Sequence, residues 1–120
     1  MSESLIKNKS FSFAIRVVNL YKILSLERKE FVLSKQFLRS GTSVGANVRE
    51  ALNAESQADF VHKLAIAQKE CDETIYWLEL LKETNFITEM EFKSINNDAI
   101  ENLKIIRSII LTSIKTTHNS

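Results

Sequence analysis

The chain contains no proline and two glycines, Gly41 and Gly45, in 120 residues. Sandwiches and barrels need many turn residues, so this scarcity argues against an all-β fold and for a few long elements. Apolar residues recur with helical spacing in four segments, roughly residues 10–28, 34–55, 59–83 and 88–115, with Thr116–Ser120 expected to fray. Short links between long helices make sequence neighbours antiparallel. The expected fold is therefore all-α: one domain, an antiparallel up-down-up-down four-helix bundle. A domain of this length can bury a core without disulfides or metals.

The first segment carries two apolar stripes. Phe11, Ala14, Ile15, Val18 and Tyr21 form one, and Phe13, Val17, Leu20 and Leu24 the other. A bundle core needs one stripe, so the extra side points to another subunit. The second segment has Ser34 as its expected N-cap and Phe37, Gly41, Val44, Val48 and Leu52 along its core face. Each glycine costs a helix roughly 1 kcal/mol relative to alanine; close approach of a neighbouring backbone is the expected compensation. In the third, Phe60, Leu64, Ala67, Cys71, Thr74, Leu78 and Leu81 keep a 3.6 spacing, with Asp59 in or before the first turn and Asn85 at the end. Thr88 and Glu91 form a capping box for the fourth. Its seam is Phe92, Ile95, Ala99, Leu103, Ile106, Ile110 and Ile114, with Ile100, Ile105, Ile109 and Leu111 beside or off it.

The formal net charge is +1, unevenly spread. Residues 1–58 carry nine basic against five acidic side chains, and residues 59–85 carry three against six. One side of the molecule is thus a candidate for meeting an anionic partner. Cys71, the single cysteine, has no internal disulfide partner and suits a reducing cytosol. No apolar run approaches the ~18 residues that would span a bilayer. The expectation is a cytoplasmic protein with no export and no membrane insertion.

Catalytic patterns fail on spacing. A di-iron bundle needs two Glu-x-x-His pairs, and Asp59-x-x-His62 is a single weak match. Cys71 sits on an apolar seam, where a space-filling thiol is expected rather than a nucleophile. Gly41-Thr-Ser-Val-Gly45 lies within a helical pattern and lacks the phosphate-binding lysine. Ser40–Asn53 superficially resembles a DNA-recognition helix, but the short helix that should precede it is missing. The most distinctive cluster is polar: Arg39, Ser43, Asn47 and Glu50 follow one another along one side of the second helix. Arg39 and Glu50 are too far apart to pair, so each is expected to reach a neighbouring helix, with Glu73 the candidate carboxylate for Arg39. A polar network that fixes helix register is expected here. A small-molecule site around Arg39, Glu50 and Glu73 is the enzyme-class alternative and requires a concave pocket.

The run Gln36-Phe-Leu-Arg39-Ser40-Gly-Thr-Ser43-Val-Gly-Ala46-Asn47-Val-Arg-Glu50-Ala51 resembles the signature of a bacterial four-helix-bundle family. That family includes proteins encoded in 23S rRNA intervening sequences and the accessory variability determinant of diversity-generating retroelements. Phe60, Leu64, Ala67, Glu73 and Leu78 extend the likeness, which covers roughly residues 11–110. The resemblance implies a protomer that forms a ring-like homopentamer, without enzymatic activity; no cofactor or metal is expected. It further implies a basic surface that meets nucleic acid or a nucleic-acid-handling protein. The candidate phosphate contacts are Lys7, Lys9, Arg16, Lys22, Arg28 and Lys29. The alternative expectation is a pure scaffold that acts by self-association and protein contacts.

Overall fold

The computed structural model describes the backbone of residues 2–119 and the side chains of residues 2–115. α1 spans Ser2–Lys22 and runs on through one turn of π-helix at Ile23–Glu27. α2 is Leu33–Leu52, α3 Gln57–Glu83 and α4 Glu89–Asn119. The ion pairs between helices match early positions of one helix with late positions of the next. Lys9 meets Glu101 and Arg28 meets Glu91 across α1 and α4. Glu50 meets Lys63 across α2 and α3, and Asp72 meets Arg107 across α3 and α4. The four helices thus alternate in direction, as an up-down-up-down bundle in a rod of 52 × 22 × 20 Å.

α1 begins well before residue 10. The stretch ahead of Ser10 is polar, yet Ile6, Ser10, Phe13 and Val17 fall on one face, and all are buried. One isoleucine in the right register is enough to dock two extra turns. The core stripe of α1 is Phe13–Val17–Leu24, while Phe11 and Ile15 on the other stripe are 53% and 48% exposed. α4 likewise continues to Asn119, through most of the segment expected to fray. Ser120 lies outside the described residues.

Helix starts differ from the simplest reading in two places. Ser34 is not the cap of α2. The buried Glu30 carboxylate takes that role, accepting from the backbone N–H of Val32 (3.1 Å), Leu33 (2.6 Å) and Ser34 (2.9 Å). Ser34 Oγ instead donates to the Glu30 carbonyl at 2.7 Å. An ionised acceptor suits the positive end of the helix better than a hydroxyl does. At α3 the cap is Ser56, whose Oγ accepts from the Asp59 N–H at 3.0 Å; Asp59 lies in the first turn. The Thr88–Glu91 box is formed reciprocally, at 2.8 and 3.1 Å.

α3 ends where Asn85 adopts a left-handed conformation, φ 66°. The N–H of Phe86 then reaches the Leu81 carbonyl (2.9 Å) and that of Asn85 the Lys82 carbonyl (3.0 Å), a Schellman turn made without glycine. The two glycines serve close packing. A Cβ on Gly41 would lie 2.7 Å from both Val17 methyls, and one on Gly45 3.2 Å from the Ser10 carbonyl oxygen. α2 is unbroken across both, so α1 and α2 come together at a distance only glycine permits.

Candidate interaction surface

The polar row on α2 lies at the surface. Arg39, with half its side chain exposed, is held between two carboxylates of α3: Glu70 at 3.1 Å and Glu73. The Trp77 indole N–H donates to the same Glu73 oxygen at 2.9 Å. That indole bond, followed by the guanidinium, holds the Glu73 carboxyl below its ordinary range, and the Arg39 pKa is raised in turn. Glu50 reaches α3 separately, at Lys63. Ser43 and Asn47 turn back onto their own helix, donating to the carbonyls of Arg39 (2.6 Å) and Ser43 (2.8 Å). Arg39 and Glu50, roughly 16 Å apart along the helix, reach different partners on α3 and do not converge on one site. The buried polar contact of the α2–α3 interface is a different pair, the hydroxyls of Ser40 and Thr74 at 2.9 Å. Spacing had not singled it out, since both residues fit the apolar period.

The six candidate phosphate contacts divide. Lys9 is 2.8 Å from Glu101. Arg16 is 2.6 Å from Asp98 and also bonds the Ser94 hydroxyl and carbonyl. Arg28 makes a fork with Glu91 and donates to the Phe86 carbonyl at 2.6 Å. These three cations tie α1 to α4. Among the described residues Lys7, Lys22 and Lys29 have no carboxylate within ion-pair distance, and they lie exposed. Sequence could not reveal these pairings, because the acids lie far along the chain.

Arg28, followed by the Thr88 N–H, pulls the Glu91 pKa from 4.5 down to about 2. A carboxyl whose folded pKa is depressed stabilises the fold above its unfolded pKa and loses that contribution as pH falls toward the folded value. The start of α4 is therefore expected to loosen between pH 4.5 and about 2. Amide exchange of residues 89–92 followed through this range checks it, and Glu91→Gln should flatten the response.

Cys71 is fully buried, its thiol donates to the Ala99 carbonyl at 3.2 Å, and burial pushes its pKa to about 12. A thiol held this way is not a nucleophile near neutral pH. Among the described residues no three histidine, cysteine or acidic side chains gather to hold a metal ion. No described helix is long and apolar enough to cross a membrane.

The outer stripe of α1 leaves two large apolar side chains, Phe11 and Ile15, about half exposed. Phe11 projects beside Ala14, with Thr42, Ala46 and Arg49 of α2 next to it, and Ile15 lies exposed one turn further along α1. A shallow groove of about 250 Å³ runs between the two helices over Gly45, with the Arg49 guanidinium 5.1 Å from the Phe11 ring centre. Small residues floor the groove, and Phe11 and Arg49 edge it, a shape that accepts another helix.

Fold and surface together define an all-α helical-bundle protein with an unsatisfied apolar stripe. A family model described as 23S rRNA-intervening sequence protein matches residues 2–108, and the chain belongs to that family. It is similar over 92% of its length to 98% of a crystallised Bacteroides thetaiotaomicron VPI-5482 protein, with 59% sequence identity and a TM-score of 0.91. That protein is described as one of unknown function from the S23 ribosomal protein family. No curated protein matches the chain.

Proposed function

We propose that this protein acts in the cytoplasm without catalysis, as an oligomeric scaffold whose subunits join through the outer stripe of α1. The observation that carries this reading is half-exposed Phe11 at the edge of a small-residue groove, with half-exposed Ile15 next along the same helix. Contiguous apolar surface of this kind marks an interface. The resemblance to ring-forming bundles supplies the number five. The polar row Arg39–Glu73–Trp77 serves to fix the α2–α3 register.

Replacing Phe11 and Ile15 together by serine is expected to convert the assembly to folded monomers, with helicity retained. Sedimentation together with circular dichroism reads both properties. Retention of the wild-type mass by the double variant would exclude this face.

A second reading, contact with RNA, is supported by the exposed and unpaired Lys7, Lys22 and Lys29. Their contribution is small per subunit and multiplies in an assembly. Retention of RNA on a filter at low salt, lost on raising salt and in the triple Lys→Glu variant, is the expected signature. Absence of retention at low salt leaves the scaffold reading alone.

A further inference from the structure

The uneven charge of the chain reaches the surface as two faces of opposite sign. The outer face of α1 and α2 is basic. Lys22 lies two helical turns beyond Ile15, Lys35 lies two turns before Thr42, and the Arg49 guanidinium sits over the Phe11 ring. All three cations are exposed, and among the described residues none has a carboxylate within ion-pair distance. α3 turns the opposite charge outward. Lys69, Asp72, Tyr76, Glu79 and Glu83 follow at steps of three and four along its exposed side, three acids against one base. Asp72 and Glu83 have only loose cation contacts, to Arg107 at 3.7 Å and Lys82 at 3.6 Å. Tyr76 stands among them, 55% exposed, its ring 4.9 Å from that of Trp77. Trp77 is held by Glu73 and, through it, by Arg39. An exposed aromatic whose neighbours are already fixed is the usual anchor of a protein interface.

The two faces also share a register. Val17 lies against Gly41, and Thr74 bonds the adjacent Ser40, so Val17 and Thr74 stand at one height in the rod. Lys22 and Glu79 are each five residues further along helices that run the same way. Lys35 is five residues before Ser40 on the helix that runs against them. These three therefore stand at one height as well. α1 and α3 occupy diagonal corners of the bundle, each adjoining α2 and α4, so a single protomer cannot bring its own two faces together. Two copies side by side can, without sliding along their length.

From these observations we infer that subunits associate head to tail: the outer face of α1 and α2 on one copy receives the outer side of α3 on the next. Phe11 and Ile15 give the apolar contact, Tyr76 is the anchor from the second copy, and Lys22 and Lys35 reach Glu79 and Glu83. The inference rests on the self-association proposed above and assigns its second surface. The stripe does not pair with its own copy, because that would set Lys22, Lys35 and Arg49 against like charges.

Two charge-reversed proteins test the pairing, Lys22→Glu/Lys35→Glu and Glu79→Lys/Glu83→Lys. All four sites are exposed, so both variants are expected to keep wild-type helicity. Sedimentation of the full chain at ~0.05 M salt, where surface charge is weakly screened, is expected to show each variant alone dissociating at about tenfold higher concentration than wild type. An equimolar mixture should associate again, and the fourfold variant should recover wild-type behaviour, since both restore opposite charges across the contact. Emission of Trp77, the single tryptophan, should shift to the red as the wild type is diluted into protomers. An assembled wild type whose mass ignores Glu79→Lys/Glu83→Lys, or a mixture that stays apart, overturns the pairing and leaves self-association standing. A wild type that is monomeric at every concentration overturns both.

Discussion

Replacing Glu30 by alanine is expected to lower the unfolding free energy by about 2–4 kcal/mol, because the first turn of α2 then has no acceptor for its backbone N–H groups. The loss exceeds that of an ordinary cap because Glu30 is 7% exposed. Water cannot readily replace the carboxylate there. Glu30→Gln keeps one acceptor oxygen without the charge and should lose about half as much. Urea denaturation at neutral pH gives the values, and amide exchange at residues 32–34 locates the damage. A loss below about 0.5 kcal/mol, the level of a surface substitution, would show that the α1–α2 turn is held by something else.

Gly41→Ala is the second large effect. Alanine gains about 1 kcal/mol of helix propensity over glycine, so on an exposed helix it would stabilise. Here the new methyl would meet both methyls of Val17 at 2.7 Å. Val17 is fully buried and, being β-branched, has little freedom to rotate away. Overpacking of this kind costs typically 1–3 kcal/mol. With α1 pressed off α2, a net loss of up to about 2 kcal/mol is expected. The double variant with Val17→Ala should lose at least about 1 kcal/mol less than the two single losses added together, since the smaller residue vacates the contested space. Strict additivity would mean that the two helices are not in contact here.

How far the sequence alone carries can be argued from individual residues. α3 shows its core face plainly, because Leu64, Ala67, Cys71, Thr74, Leu78 and Leu81 keep the helical period and all are buried. The close approach at Gly41 and Gly45 is also readable, since an unbroken helix bears two costly glycines only for a steric reason. Glu30 is not readable: a capping glutamate ahead of its helix looks like any charged loop residue, and the nearby Ser34 offers a more conventional cap. The early start of α1 was hidden because one buried isoleucine in a polar stretch gives no period to count.

The surface was harder still. Charge counts along the chain suggest a basic N-terminal half, but Lys9, Arg16 and Arg28 are neutralised by acids on α4. Pairing across a bundle depends on which helix neighbours which, and composition carries no such information. In the polar row, spacing correctly separates Arg39 from Glu50. It does not reveal that Glu70 shares Arg39 with Glu73, or that Trp77 orients the latter.

The apolar stripe on α1 gives the scaffold reading its weight, and the mass of the protein in solution tests it most directly. Light scattering of the purified full chain across a dilution series is predicted to give a multiple of the 13.8 kDa protomer, about fivefold for a closed ring. A single species of 13.8 kDa at every concentration, with Phe11 and Ile15 still facing water, would contradict it.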